Sequence, residues 1–153
     1  MSDTYKYSSQ TPFIASYMIF RNEEGKLAFL LRSNTGWMNG YYTFPSGKVE
    51  NDEFFLECAI REAQEEVGAV AKAKDVVPRL VMHRIEPDSS WVDIFFEAAK
   101  WEGEVVNGEP HMHGELTWFD PKDLPEKVLP NVKFALEQIE AGNMYCEFRG
   151  DSK

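Results

Sequence analysis

The sequence predicts an α/β/α sandwich around a mixed β-sheet. Short apolar runs with the length of strands recur along the chain, and two further segments carry apolar residues at helical spacing. Elements in this order favour a sheet that is covered by helices on both faces. The chain has 153 residues, 43% of them hydrophobic, which is enough for one domain with a sizeable core. We therefore expect a flexible polar leader over residues 1–10 and a single domain over residues 11–150.

The first two strands flank a turn. Residues 13–20 and 26–32 are apolar runs, and residues 22–25 between them are turn formers, so we expect a β-hairpin. A loop rich in Gly, Asn, Ser and Thr follows at residues 33–40. It leads to a short strand at residues 41–44.

A helix of about four turns is expected over residues 54–67. The segment contains no Pro or Gly and is rich in Leu, Ala, Glu, Gln and Arg. Asn51 or Asp52 would lie near its amino-terminal cap, and Gly68 would end it. Apolar residues at three- and four-residue spacing predict its buried face: Leu56, Ala59, Ile60, Ala63 and Val67.

The second half of the chain repeats the pattern of strands followed by a helix. Residues 76–85 and 91–101 read as a second hairpin around residues 86–90. The later of these strands is apolar on both faces, so we expect it to lie buried between helices. A strand is also expected at residues 115–119. A helix at residues 131–140 would cover the sheet face opposite the first helix.

Three carboxylates of the first helix crowd together. Glu62, Glu65 and Glu66 lie at positions i, i+3 and i+4, which places them within one quadrant of the helix surface at about 100° per residue. Like charges at this spacing repel, so a cation between them is the natural partner, and Mg²⁺ takes oxygen ligands while it holds substrate phosphates. Arg61 lies eight residues after Glu53 and is positioned to brace the preceding loop through a bidentate pair.

These residues belong to a longer pattern over residues 47–69 that resembles the Nudix box. The pattern has a glycine, five residues, a glutamate, seven residues, Arg-Glu, an apolar residue, one residue, Glu-Glu, one residue, a glycine and an apolar residue. It is filled here by Gly47, Glu53, Arg61, Glu62, Ala63, Glu65, Glu66, Gly68 and Ala69. Only the two alanines are smaller than usual in the family. The resemblance implies the Nudix sandwich with a loop–helix–loop catalytic motif.

The resemblance also implies a set of metal ligands for Mg²⁺, for which Mn²⁺ substitutes. These are Glu62, Glu65, Glu66, Glu109 and the backbone carbonyl of Ser46. Glu115 is the rival to Glu109. Ser46 stands where the family more commonly has glycine, and a serine cannot adopt positive φ as cheaply. Arg61 and Glu53 would be structural braces, and Glu62 or Glu66 would accept the proton of the attacking water.

Substrate contacts are expected outside the helix. Arg32 and Lys48 would reach phosphate oxygens, although an arginine at the end of a strand is otherwise simply solvated. Asn131 is either the cap of the second helix or, as in MutT-type enzymes, a base-reading residue. Trp37 and Met38 either line a base pocket or cover the core, and the second interpretation is favoured.

The implied reaction is attack of water on a nucleoside diphosphate linked to another group. The leading prediction is hydrolysis of a nucleoside triphosphate to the monophosphate and pyrophosphate. ADP-ribose, another nucleotide sugar or a dinucleotide is the alternative substrate. A non-catalytic, nucleotide-binding regulatory domain is a third possibility, but such domains often lose box glutamates that this chain keeps. RNA decapping is disfavoured because no basic stretch is visible.

Charge and composition restrict the partners. The net charge of −10 and the pI of about 4.8 argue against binding to nucleic acid or an anionic membrane. Residues 47–70 hold seven acidic residues and two basic ones, so half of the excess negative charge lies in the proposed metal site. No run approaches a membrane span and no signal peptide is visible. We expect a cytoplasmic protein that acts on a small nucleotide as a monomer or homodimer.

The remaining metal-ligating residue types form no pattern. Cys58 and Cys146 have neither zinc nor disulfide spacing, so we expect reduced thiols. His111 and His113 are expected on the surface and His83 in the core or at its rim. The tail at residues 144–149 would add an edge contact to the sheet or serve a dimer.

Overall fold

The computed structural model describes residues 11–151, and the predicted leader lies outside them. Two helices, α1 (Phe55–Val67) and α2 (Pro130–Glu140), pack with eight strands. A 3₁₀ turn, Ala73–Asp75, lies between α1 and the strand that follows it. The strands are β1 (Phe13–Phe20), β2 (Leu27–Arg32), β3 (Tyr42–Thr43), β4 (Ser46–Lys48), β5 (Val76–Glu86), β6 (Ser89–Ala98), β7 (His113–Phe119) and β8 (Tyr145–Arg149).

The strands form two sheets. The larger has the order β4-β1-β6-β5-β8, and the smaller has the order β3-β2-β7. The β1–β6 and β5–β8 pairs are parallel and the other pairs are antiparallel, so the larger sheet is mixed, as predicted. The tail adds the edge strand β8 to this sheet. None of the helices found between residues 11 and 151 has the length and apolar character needed to cross a bilayer.

The large sheet lies between the two helices. On one face, Ala59, Ala63 and Val67 of α1 pack in a cluster with Met18 and Phe96 of the sheet. The other face carries a second cluster, which contains residues of α2 and of the alternate sheet positions: Val132, Ala135, Leu136, Tyr17, Phe95, Leu80 and Met82. Burial of each large apolar side chain contributes about 1.5–3 kcal/mol to folding. This arrangement confirms the predicted sandwich and the burial of β6 on both faces.

The first predicted hairpin is wrong. The turn at residues 22–25 forms, with the Gly25 N–H donating to the Asn22 carbonyl at 2.9 Å. However, β1 and β2 share only an isolated bridge between Arg21 and Leu27, and β2 enters the smaller sheet. Both edges of β1 are already taken by β4 and β6, so no hydrogen-bonding edge is left for β2.

The residues at the amino-terminal caps differ from the prediction, whereas the predicted end of α1 is confirmed. The cap position of α1 is Phe54, which has no side-chain cap hydrogen bond; Asn51 and Asp52 lie just before it, Asp52 with φ 64°. Gly68 ends the helix as predicted, with φ 73°. In α2, Leu129 occupies the cap position, which places Asn131 inside the first turn instead of before it.

Candidate active site

Gly47 brings the carboxylate of Glu62 against the backbone of β4. A β-carbon built on Gly47 would collide with the Glu62 carboxylate, so this position admits no side chain while Glu62 holds its place. The absence of a side chain therefore positions one of the predicted metal ligands. On the same side of α1, Cys58 Sγ lies 3.5 Å from the Gly47 carbonyl oxygen, and both Cys58 and Cys146 are buried free thiols.

Arg61 connects the loop before α1 to the acidic face of that helix. Its Nε donates to Glu53 Oε2 at 2.6 Å and its Nη2 to Glu53 Oε1 at 3.1 Å, a bidentate pair. Its Nη1 donates to Glu62 Oε1 at 3.0 Å and lies 3.4 Å from both carboxylate oxygens of Glu65. The hydrogen bonds from Arg61 lower the pKa of Glu53 to about 2. Arg61 thus neutralises part of the cluster and orders the loop.

Glu66 is the most buried carboxylate of the group. The Ser46 N–H donates to its Oε2 at 2.8 Å. Burial raises the pKa of Glu66 well above its ordinary value, and the charges of Glu62 and Glu109 add to the rise. Burial also raises the pKa of Glu62, with Arg61 opposing the shift. These carboxylates therefore lie in surroundings that favour a nearby cation.

The serine at position 46 introduces no backbone strain. In the described part of the chain, the non-glycine residues with positive φ are Met38 and Asp52. Ser46 instead lies in β4, paired with Tyr17 of β1. The departure from the commoner glycine thus leaves the backbone of this loop in an ordinary conformation.

A second loop closes on the carboxyl-terminal end of α1. The N–H of Val106 donates to the Val67 carbonyl at 3.0 Å, and the N–H of Gly108 donates to the Glu66 carbonyl at 2.7 Å. A β-carbon on Gly108 would lie only 2.9 Å from the Glu65 carbonyl oxygen, so the loop approaches too closely for a side chain. This docking carries Glu109 to the acidic cluster.

Glu115 lies away from the acidic cluster of α1. The Tyr42 hydroxyl donates to its carboxylate on the surface of the smaller sheet. Glu109, in contrast, contributes to the raised pKa values of both Glu62 and Glu66. The charge of Glu109 therefore acts on Glu62 and Glu66, whereas the Glu115 carboxylate is hydrogen-bonded to Tyr42.

The cluster fits a hard divalent cation by its donor chemistry. Its donors are carboxylate oxygens and the neighbouring backbone carbonyl oxygen of Ser46, and oxygen is the ligand type that Mg²⁺ and Mn²⁺ prefer. Over residues 11–151, no three His, Cys, Asp or Glu side chains converge as a ready ligand set. Arg61 donates to Glu62 and the Ser46 N–H donates to Glu66, and a carboxylate that accepts one hydrogen bond keeps further lone pairs for a cation.

A cavity of about 810 Å³ adjoins Ser46 and Gly47. Arg32 and Lys48 both line it. Arg32 Nε donates to the Trp37 carbonyl at 2.9 Å, and its guanidinium lies 5.1 Å from the centre of the Trp37 ring. Burial lowers the pKa of Arg32. The volume is within the range of roughly 300–1,000 Å³ that is typical of small-molecule sites.

Several predicted positions differ from expectation. Trp37 lines the cavity with 51% of its surface exposed, while Met38 packs on the core, so the two residues have different environments. Asn131 is only 4% exposed and is not part of the cavity lining; its Nδ2 lies 3.5 Å from the Tyr17 hydroxyl. His113 is 6% exposed and not on the surface as expected, because it begins β7 opposite Arg32. His83 lies at the rim, 3.2 Å from Ser90.

One cavity residue and its buried partner were not predicted from the sequence. Arg84 of β5 lines the cavity and forms a buried ion pair with Asp93 of β6, at 2.6 Å between Nε and Oδ2. The available signal was Asp93 itself, a charge in the middle of an apolar strand. Because a buried charge requires a partner, that signal predicts a nearby cation.

Comparison with known proteins places the chain in a family. The NUDIX domain model matches residues 11–140. The chain is 29% identical over 120 residues to the 8-oxo-dGTP diphosphatase of Escherichia coli (strain K12), a match that covers 75% of this chain and 92% of that protein. It is 25% identical over 121 residues to the ADP-ribose pyrophosphatase of Methanocaldococcus jannaschii, covering 79% of this chain and 70% of that protein.

The fold matches as well. The crystal structure of a MutT NUDIX hydrolase from Burkholderia pseudomallei superposes with a TM-score of 0.75 at 26% identity, covering 84% of this chain and 98% of that one. The family model covers most of the chain, and the box residues lie together beside a cavity of nucleotide size. The chain therefore belongs to the Nudix family of pyrophosphatases and is a Nudix hydrolase.

Proposed function

We propose that this enzyme hydrolyses a nucleoside triphosphate to the nucleoside monophosphate and pyrophosphate, with Mg²⁺ as its cofactor and Mn²⁺ as a substitute. The observation that carries the proposal is the contact of Glu66 with the Ser46 N–H and of the Glu62 carboxylate with Gly47, because Ser46 and Gly47 line the same cavity as Arg32 and Lys48. Such a site combines anionic metal ligands with cationic phosphate contacts. The similarity to the 8-oxo-dGTP diphosphatase supports a triphosphate as the substrate.

The residues of the chain have separate roles in this proposal. A divalent cation, when bound, neutralises phosphate charge and lowers the pKa of water. Glu62, Glu65, Glu66 and Glu109, with the Ser46 carbonyl, would hold it. Arg32 and Lys48 bind phosphate oxygens as fixed positive charges. Arg61 and Glu53 hold the loop against α1, and either Glu62 or Glu66 accepts the proton of the attacking water.

ADP-ribose, another nucleotide sugar or a dinucleotide is the second candidate substrate. The similarity to an ADP-ribose pyrophosphatase supports it, since that relative matches this chain over nearly the same length as the first. A purely nucleotide-binding role is less well supported, because the chain retains every charged residue of the box.

The nucleotide is the proposed partner, and the cytoplasm is the proposed location. The net charge of −10 opposes contact with nucleic acid. Both cysteines are free thiols, which suits a reducing compartment.

A substrate panel tests these alternatives. It comprises nucleoside triphosphates, oxidised purine triphosphates, ADP-ribose, dinucleotides and nucleotide sugars, each with Mg²⁺ or Mn²⁺, and the products are identified by mass. Release of pyrophosphate and a monophosphate from a triphosphate supports the proposal. Exclusive cleavage of ADP-ribose or another sugar nucleotide would replace it with the second candidate. A folded protein that binds nucleotides but cleaves none would favour the regulatory role.

A further inference from the structure

Arg84 presents a fixed guanidinium to the cavity. The residue is 5% exposed, and its partner Asp93 is 0% exposed. Arg84 Nε donates to Asp93 Oδ2 at 2.6 Å, Nη2 donates to Asp93 Oδ1 at 3.1 Å, and Nη1 donates to Glu86 Oε1 at 3.1 Å. The indole of Trp91 packs at 4.8 Å from the guanidinium carbon. Arg84 is thus held on three sides while it lines the cavity.

The guanidinium keeps unused hydrogen-bonding capacity. An arginine has five N–H donors, and the contacts to Asp93 and Glu86 use three of them. The other two have no acceptor among residues 11–151. A buried donor without an acceptor is costly, and a buried ion pair does little for stability by itself. A ligand in the cavity that offers an acceptor to Arg84 would satisfy these two N–H donors.

The cavity carries positive charge at its β4 end, and both an arginine and acidic side chains at its β5 end. Lys48 lies on β4 beside the box, and Arg84 and Glu86 lie on β5. The strand order β4-β1-β6-β5 separates these strands by three strand spacings, about 14 Å. Asp88 and Asp151 also line the cavity near Glu86. A ligand that fits this distribution has phosphates at the β4 end and a group rich in N–H donors at the β5 end.

We propose that Arg84 and Glu86 determine the specificity of the enzyme by selecting a guanine-type base, an inference that rests on the proposed hydrolysis of a nucleotide. Guanine offers the carbonyl oxygen O6 as an acceptor for Arg84, followed by the N1–H and the 2-amino group as donors to the Glu86 carboxylate. Adenine instead has an amino donor at position 6 and no donor at N1. Asn131 lies behind the cavity wall, with its Nδ2 3.5 Å from the hydroxyl of the lining residue Tyr17, whereas Arg84 and Glu86 of β5 line the cavity themselves.

Equilibrium binding tests the inference without catalysis. Titration calorimetry with GMP, IMP and AMP in the absence of metal is expected to show GMP binding roughly fivefold or more tightly than AMP, since a good pair of hydrogen bonds discriminates between bases by at least about that factor. IMP lacks the 2-amino group and is expected to bind with intermediate affinity. Equal affinities for GMP and AMP would overturn the inference.

Two variants test whether Arg84 and Glu86 are the residues that discriminate between the bases. Arg84→Lys keeps the charge next to Asp93 but removes the planar fork, and it is expected to lower GMP affinity to that of AMP. Glu86→Gln is expected to abolish the difference between GMP and IMP. Arg79→Lys is the matched control, because Arg79 lies on the same strand, pairs with Glu97 and is not part of the cavity lining. Thermal unfolding verifies that each variant is folded.

The outcomes separate this inference from the proposed function. If triphosphates are hydrolysed but Arg84→Lys weakens GMP and AMP equally, Arg84 is merely structural and the inference fails. If no triphosphate is hydrolysed while GMP binds selectively through Arg84, the base assignment stands and the proposed reaction fails. Should Arg84→Lys prove unfolded, Glu86→Gln still decides, because an unchanged ratio of GMP to IMP affinity in that variant contradicts the assignment.

Discussion

The carboxylate of Glu62 lies against the α-carbon of Gly47, in the space that a side chain on Gly47 would occupy. This contact joins β4 to α1 and determines where one of the proposed metal ligands can be. The cluster of carboxylates therefore depends on the close approach of β4 to α1.

Gly47→Ala is expected to displace Glu62 and to lower kcat by on the order of 10²-fold, the loss that a misplacement of about 1 Å can cause. Steady-state kinetics with the substrate identified in the substrate panel measures this change in kcat. Gly114→Ala is a matched control, since its β-carbon would come closest to the flexible end of Leu31, at 3.1 Å, and would meet Ser33 at an ordinary contact distance of 3.6 Å. If Gly47→Ala retained full turnover, the contact with Glu62 would have no role in positioning the site.

Glu66→Gln is expected to reduce turnover by about 10²- to 10⁴-fold while the protein stays folded. Glutamine preserves the shape of the side chain and removes the charge whose burial is unfavourable, so the melting temperature is expected to stay equal or to rise. Kinetics and thermal unfolding on the same sample test both statements. An unchanged rate would remove Glu66 from the metal site.

Glu109→Gln is expected to weaken Mn²⁺ binding by roughly 10- to 100-fold. The reason is that Glu109 adds negative charge at Glu62 and Glu66. Titration calorimetry with Mn²⁺ alone measures the affinity without any nucleotide. Glu115→Gln serves as the control because the Glu115 carboxylate accepts a hydrogen bond from Tyr42 at another place. A larger effect at Glu115 would reverse the assignment.

Acid is expected to weaken the brace between Arg61 and Glu53. The pKa of Glu53 is about 2 in the folded protein and 4.5 ordinarily, so between these values the unfolded state binds more protons. The stabilisation is therefore fully present above pH 4.5 and is lost as the pH falls towards 2. The melting temperatures of the wild type and Glu53→Gln are expected to converge over this interval. A difference that stays constant with pH would show that the Glu53 charge does not contribute.

Asp93→Asn is expected to destabilise the fold by about 3–5 kcal/mol, because it leaves Arg84 buried without its counter-charge. Urea denaturation measures the free energy of unfolding. The exposed pair between Lys72 and Glu102 provides the comparison, and Glu102→Gln is expected to cost at most about 1 kcal/mol. If both substitutions lowered the free energy of unfolding equally, the loss of the Asp93 charge would be compensated by water or by rearrangement around Arg84.

Features set by nearby residues were predicted well from the sequence. The helix α1 and its end at Gly68 follow from composition and from the conformational freedom of glycine, and both faces of β6 are buried as its apolar pattern indicates. The spacing of Arg61 and Glu53 corresponds to the observed contact, since a helix fixes the direction of Arg61.

Features decided by competition between distant segments were not predictable in the same way. The apolar runs and the turn between them predict a hairpin of β1 and β2, but strands from elsewhere in the chain, β4 and β6, pair with the two edges of β1. Asn131 has the residue type of a cap, yet Pro130 begins the helix, and the amide of Asn131 meets Tyr17, which lies 114 positions away in the chain. Arg84 meets Asp93 on the adjacent strand β6; the charge of Asp93 in an apolar strand indicates a nearby cation but does not identify which one.

The acidic cluster and the guanidinium of Arg84 reside on different elements, the first around β4 and α1 and the second on β5. Substitutions on β5 can change the ligand that is accepted without moving the carboxylates. Such a division allows a lineage to acquire new substrates by mutation at one end of a cavity while the bond-breaking machinery is inherited intact. For the protein engineer, Glu86 and Asp88 are accordingly the positions to randomise in a search for altered preference, because loss of Arg84 would leave Asp93 buried without its counter-charge.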